Sequence, residues 1–319
     1  MRIFNRVRQL ARSCQQAGAS LKRIPALIEQ VNEAKILAAQ VLIRQIAEHG
    51  LLPSIREAEF KVFSQFGEDG IIQYLIRQTK IPVDLEIFIE VGVETYEEAN
   101  TRFLLANNNW RGLIMDGNAA AMAAIQKSSI YWRHDLTAMG AFIDKDNIDH
   151  LIRTAGFGGE IGLLSIDIDG NDYWVWESIK SIIPVIVVIE YNSLFGSQRA
   201  VTVPYDARFF RTAAHYSNLY FGCSLKALEL LGQRKGYALV GSNSTGSNAF
   251  FVRRDYLHGL VPMTAEEAYV ELRGRQSRDI FGNLTFLAAK SQVREIGHMK
   301  LLDLENGCLI RVSELLNEA

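Results

Sequence analysis

The sequence predicts an α/β protein with a Rossmann-like, doubly wound, mostly parallel sheet that ends in an antiparallel β-hairpin, flanked by helical N- and C-terminal extensions. Three observations predict it. Short β-branched segments alternate with helical ones from residue 86 to residue 236, the pattern of a parallel sheet. Polar residues close all five of the strands this alternation implies. Finally, Tyr237-Ala238-Leu239-Val240 and Asn248–Arg253 are separated only by a polar, glycine-bearing turn. That is too short for a parallel crossover, so the two must pair antiparallel.

Residues 1–52 read as a helical arm. Phe4, Val7, Ala11 and Cys14 recur at three-to-four spacing, as do Ile36, Ala39, Leu42 and Ile46, and Gly50 and Pro53 stop the run. Arg2, Arg6, Arg8, Arg12, Lys22 and Arg23 all precede the first acidic residue, Glu29. A basic amphipathic helix of this kind lies on an anionic membrane surface, or packs on its own domain or another subunit, here through residues 1–24. Residues 53–254 hold the sheet. Its first strand is Glu86–Gly92, followed by a helix over 99–108, and its second is Gly112–Asp116, followed by an alanine-rich helix from Ala119. Ile130–His134 reads as a short third strand, with a helix over 144–154. Ile161–Asp169 is the fourth, with a helix over 172–180, and Val185–Tyr191 the fifth. After a long excursion, Ser224–Lys235 is a helix stopped by Gly236. Residues 255–319 read as a polar helical extension.

Composition narrows the function classes. Hydrophobic residues make up 48% and charged residues 22%, as in an ordinary folded protein. A net charge of −2 gives no global attraction to nucleic acid, so none is expected as a partner. Cys14, Cys223 and Cys308 show neither metal-ligand spacing nor a disulfide framework, which favours the cytosol. No run approaches the roughly 20 apolar residues of a spanning helix, and the basic N-terminus lacks the apolar core of a signal peptide.

In an open α/β sheet, ligands bind beyond the carboxyl ends of the strands. Strand one ends in Glu90-Val91-Gly92 and strand two in Asp116-Gly117-Asn118, where an acidic side chain can accept hydrogen bonds from ribose hydroxyls. Strand three ends in His134-Asp135, strand four in Asp167-Ile168-Asp169-Gly170, and strand five in Glu190-Tyr191-Asn192. Asp167, Asp169, Glu190 and Asn192 close two adjacent strands. Three carboxylates and an amide suit a hard cation such as Mg²⁺, and without a metal Asp169 or Glu190 can serve as base. Tyr173-Trp174-Val175-Trp176 offers aromatic faces to an acceptor, with at least one tryptophan given to core packing. Tyr205, Asp206 and His215 lie in the long excursion, where an acceptor lid would form.

At these residues the chain resembles the class I S-adenosylmethionine-dependent methyltransferases, and within them the FkbM-type branch. The resemblance covers roughly residues 63–253. It rests on Ser64-Gln65-Phe66-Gly67-Glu68-Asp69-Gly70, Phe88–Gly92, Gly112–Asn118, Leu164–Gly170 and the terminal hairpin. It implies S-adenosylmethionine as cofactor, with Glu90 and Gly92 at its amino-acid end, Asp116 at the ribose and His134-Asp135 near the adenine. It also implies a sugar or glycan-type hydroxyl as acceptor, and the metal set resembles that of metal-dependent O-methyltransferases. The loop after Gly92 departs from the family: Val93-Glu94-Thr95-Tyr96 stands where glycines are usual. Two other readings remain open. Asp167-Ile168-Asp169 is an Asp-x-Asp, as in nucleotide-sugar glycosyltransferases, and a cofactor fold can also persist as a non-catalytic binding module.

Overall fold

The computed structural model describes residues 2–274 and 276–318, with side chains placed for 23–274 and 276–315. One long helix, α1 (Arg2–Glu48), precedes the domain. The expectation of a basic surface on residues 1–24 falls mostly on side chains outside the described residues. Helix α2 (Glu68–Thr79) then leads into β1 (Ile87–Val91), β2 (Arg111–Asp116), α3 (Ala119–Ile125), α4 (Ser129–Arg133) and β3 (Leu136–Gly140). Next come α5 (Ile148–Thr154), β4 (Gly159–Ile166), α6 (Asp172–Ser178) and β5 (Ile182–Glu190). The excursion carries β6 (Val201–Thr202) and α7 (Arg211–Ala214), and α8 (Leu225–Lys235), β7 (Tyr237–Ser242) and β8 (Asn248–Arg253) follow. The chain continues with α9 (Ala265–Ala268), α10 (Ala289–Glu295), β9 (Lys300–Asp303) and β10 (Leu309–Arg311).

The seven-stranded sheet runs β3-β2-β1-β4-β5-β8-β7. β1 to β5 are mutually parallel, and β8 enters antiparallel to both β5 and β7. This is the Rossmann-like sheet with a terminal hairpin that the sequence predicts. β4 and β5 are apolar almost throughout because helices cover both faces of the sheet. One core holds Leu164, Trp176 and Phe251, the other Phe88, Trp110 and Phe250. Helix α8 forms where expected: the Ser224 hydroxyl accepts from the Ala227 N–H, and Gly236 at φ +88° ends it.

Three expectations fail. Ile130-Tyr131-Trp132-Arg133 has strand-like residue types, yet it forms the short helix α4, and the strand starts only at Leu136. Residues 104–108 wind as a π-helical turn, not as the end of an α-helix from residue 99. The C-terminal region is not simply helical. β9 and β10 form a hairpin that pairs with β6, making a three-stranded sheet over a separate small core of Leu194, Val201, Leu219, Val293 and Leu301.

Among the described residues, the N-terminal arm packs on the domain through the C-terminal half of α1. Ile36, Ala39 and Ile43 meet Val62, Phe63 and Phe103, and Gln40 Nε2 donates to Asn107 Oδ1 at 3.0 Å. No helix is long and apolar enough to cross a membrane among the described residues.

Candidate functional site

Gly92 ends β1 at φ +85°, and a Cβ there would lie 1.6 Å from the Asp167 carbonyl oxygen. The ends of β1 and β4 therefore touch backbone to backbone, which only glycine permits. The loop that follows turns without glycines, as Glu94 and Tyr96 themselves take left-handed conformations at φ 45° and 59°. Glu90 fixes the far end of this loop. Its carboxylate accepts from the Asn100 N–H at 2.8 Å, from the Thr101 N–H at 3.0 Å and from the Thr101 hydroxyl. Burial pushes its pKa up, against these hydrogen bonds. Its oxygens are taken up by the chain, so it acts as a clamp.

Asp116 stands at the tip of β2. One oxygen accepts from the Glu94 N–H at 2.8 Å and the other from the Asn118 N–H at 2.6 Å. The side chain is thus aimed across the mouth between the first two loops, with a lone pair left on each oxygen. Asn118 caps α3 by accepting from the Ala121 N–H at 3.1 Å. Gly117 adjoins Phe142, which lies in the segment leaving β3 and is half exposed.

His134 and Asp135 do not join this group. Because β3 begins at Leu136, they enter that strand instead of leaving it, and so sit at the amino edge of the sheet. There His134 Nδ1 meets Asn109 Oδ1 at 3.1 Å and Asp135 lies 3.7 Å from Arg111. The carboxyl end of β3 leads instead through Gly140 and Ala141, whose N–H donates to the Asp116 carbonyl at 2.9 Å, to Phe142. Phe142 is the residue the misplaced strand concealed.

Across the sheet, Asp167, Asp169 and Glu190 converge, each offering an oxygen within 4.8 Å of the others. Asp169 holds a left-handed φ of 57°, a geometry imposed by the tight loop between β4 and α6. That loop is tied down by Asp172, which accepts from the Ile168 and Gly170 N–H groups at 2.8 Å each. Burial pushes Asp172 up to about 6. Burial also drives Asp167 well up, helped by the charges of Asp169 and Asp172. The Glu190 carboxyl is driven up in the same way, by burial first and then by Asp167 and Asp169. Its Oε2 is buried with no hydrogen-bond partner. Like charges this close make it harder for each carboxyl to ionise.

Asn192 does not belong to the cluster. Its amide donates to the Leu219 and Phe221 carbonyls at 2.9 and 3.0 Å, while its oxygen accepts from the Leu194 N–H. Both amide protons go to the excursion's backbone. The fourth member is a cation. Arg211, from the excursion, ion-pairs with Asp169, donates from Nε to the Asn218 carbonyl at 2.8 Å and stacks 3.7 Å from the Phe221 ring centre. Burial disfavours the Arg211 charge, but Glu190 and Asp169 outweigh it and hold the guanidinium protonated. Nothing in the sequence marked this arginine, 42 residues from its partner.

Of the aromatic run, Trp176 is core, packed on Phe251 at 5.0 Å. Trp174 is half-buried beside Tyr205, with Lys145 4.1 Å from the Tyr205 ring centre. His215 lies apart, its Nδ1 2.7 Å from the Ser217 hydroxyl and its ring against His298.

No family model and no curated protein matches the chain. Among solved structures it is similar to an O-methyltransferase from neocarzinostatin biosynthesis, NcsB1, bound to S-adenosylhomocysteine and 1,4-dihydroxy-2-naphthoic acid, at 16% identity and TM-score 0.34. That match covers 58% of this chain and 56% of the other, so the chain spans little more than half of that protein's length. An O-methyltransferase from Bacillus cereus in complex with S-adenosylhomocysteine matches at 10% identity and TM-score 0.36, over 67% of this chain and 88% of that one. PKMT2 from Rickettsia typhi, also with S-adenosylhomocysteine, matches at 10% identity and TM-score 0.41, covering 81% and 74%. The fold assignment itself rests on the strand order and the terminal hairpin.

Proposed function

We propose that this chain transfers a methyl group from S-adenosylmethionine to a hydroxyl of a small-molecule, sugar or glycan-type acceptor, as its FkbM-type resemblance implies. The observation that carries the reading is the pairing of two different acidic devices along one sheet edge. Asp116 is an acceptor with free lone pairs at the tip of β2, and Asp167 with Glu190 is a close pair of carboxyls at the tips of β4 and β5, each raising the other's pKa. The first suits the two donors of a ribose. Gly117 and Asn118 bring backbone beside it, and the Phe142 ring offers an apolar face for a base. When bound, the cofactor supplies an electrophilic methyl group. Glu190, as carboxylate, then takes the proton of the acceptor hydroxyl on Oε2, which is buried and unpartnered, and the pKa raised by burial and by Asp167 and Asp169 makes it a stronger base. Arg211 offsets the negative charge of the pair. Trp174 and Tyr205 flank the loop after β4, where a sugar ring would stack.

A second reading is favoured by the same three carboxylates: Asp167, Asp169 and Glu190 hold Mg²⁺, and Arg211 swings away from Asp169. Titrating Mg²⁺ into chelator-treated protein decides between them; metal-independent turnover retains the first reading. Thermal shift tests the proposal as a whole. Stabilisation by S-adenosylmethionine or S-adenosylhomocysteine supports it. A shift only with a UDP-sugar and Mn²⁺ points to a glycosyltransferase, and a shift with neither to a binding module. We place the protein on the cytoplasmic side of any membrane it touches.

A further inference from the structure

Over the described residues 23–48, helix α1 has two apolar faces, and the domain covers one of them. Ile36, Ala39, Ile43 and Ile46 face the domain, and Glu29, on the same side, pairs with Arg133. On the opposite side Ile24, Leu27, Val31, Ala34, Ala38 and Val41 are all exposed. They follow an unbroken 3-4-3-4-3 spacing, the seam of a two-helix coiled coil. Ile28, Leu37 and Leu42 flank it, also exposed. A helix lying on its own domain should turn a polar face outward. This one turns out seven large apolar side chains at 40–64% exposure.

The chemistry of the seam selects its occupant. Residues 24–48 carry Glu29, Glu33 and Glu48 against Lys35 and Arg44, so the seam itself, unlike the basic stretch that precedes it, offers no positive field to an anionic lipid surface. Ala34 and Ala38 at its centre gain little in lipid but allow close approach of another helix. The sizes are also self-complementary when the seam meets itself head to tail. Ile24 then faces Val41, Leu27 faces Ala38 and Val31 faces Ala34, a larger residue against a smaller one in every layer. A parallel pair would instead stack leucine on leucine and leave a gap at the alanines. The seven large side chains, four in the seam and three at its edges, expose on the order of 600 Å² per copy, an upper bound that lies at the small end of specific interfaces.

We propose that two copies of this chain associate through an antiparallel pairing of α1 centred between Val31 and Ala34. The interface is isologous, as two-fold dimers require. It stands apart from the carboxylate site.

Sedimentation velocity of the full chain at tens of micromolar tests this. The expected mass is about twice 35.9 kDa, and Leu27→Glu with Val31→Glu returns it to a single copy with an unchanged circular-dichroism melting curve. Both substitutions are at exposed positions, so the fold tolerates them. A wild-type monomer overturns the proposal, as does a double variant that stays dimeric. A monomer that instead floats with phosphatidylglycerol vesicles, and stops doing so in the variant, assigns the seam to membrane. For orientation, Leu27→Cys with Ala38→Cys in a Cys14→Ser, Cys308→Ser background should oxidise to a covalent dimer, whereas Leu27→Cys alone should not. A crosslink from Leu27→Cys alone overturns the antiparallel register.

Discussion

The two halves of the sheet's carboxyl edge use the same residue types to opposite ends. On the β1–β2 side, Glu90 and Asp116 are met by backbone N–H groups, two for each carboxylate. On the β4–β5 side, Asp167 and Glu190 are met chiefly by other carboxylates, and one Glu190 oxygen meets nothing. Donors arriving from the loop after β1 make Glu90 a fastener. Where no loop donates, burial and neighbouring carboxylates raise the pKa of Asp167 and Glu190 instead. The difference between the two sides is made by neighbouring backbone.

The contrast breaks first at the point where the halves touch. Gly92→Ala forces both a strained φ and an overlap with the Asp167 carbonyl, and should cost more than about 3 kcal/mol in urea unfolding. A soluble variant of wild-type stability would refute the close approach. Next, Glu190→Gln should lower kcat about 10²- to 10³-fold while the urea midpoint does not fall. Glu90→Gln should instead cost about 2 kcal/mol of stability by stranding buried N–H donors. If the two variants behave alike, the contrast is wrong. Arg211→Ala sharpens it further, because the guanidinium holds the Asp167 and Glu190 pKa values down. Without it the rising limb of the pH–rate profile should move to higher pH, and Arg211→Lys should bring it back.

The last effect is on stability and follows pH. Asp172 titrates at about 6 in the folded chain against 3.8 ordinarily, so between these values the folded state holds a proton that the unfolded state has released. Stability should therefore fall as pH rises from 4 to 6, by up to about 1.4 kcal/mol per pH unit from this group. Asp167 and Glu190 act in the same direction. Urea titrations across that range should show a shallower slope for Asp172→Asn.

The sheet was legible in the sequence because its strands are apolar runs bounded by helices with clear caps, such as Ser224 and Gly236. Asp116, Asp167, Asp169 and Glu190 were legible because strand ends have a fixed place in such a fold. Asn192 was misread because its backbone-capping role depends on the excursion's path, which no periodicity encodes. His134 and Asp135 were misread for a local reason: β-branched and aromatic residues at 130–132 mimic a strand, and a shift of six residues moved the pair to the wrong edge. Arg211 was invisible, since only tertiary folding brings it to Asp169. The β9–β10 hairpin was equally hidden, because its few apolar residues gain a core only against β6.

That small sheet has a temporal consequence. Arg211 is carried by the excursion whose β6 strand pairs with β9, and Arg199 just before it binds Asp303, 104 residues downstream. A ribosome adding about 5–20 residues per second needs roughly 5–20 s to make that stretch. Through this interval β6 and the Arg199 side chain wait for their partners, whereas Arg211 already has Asp169, Asn218 and Phe221 on chain made before the hairpin. The nascent chain can thus assemble its acidic cleft together with its counter-charge, and the small sheet that backs the excursion closes last.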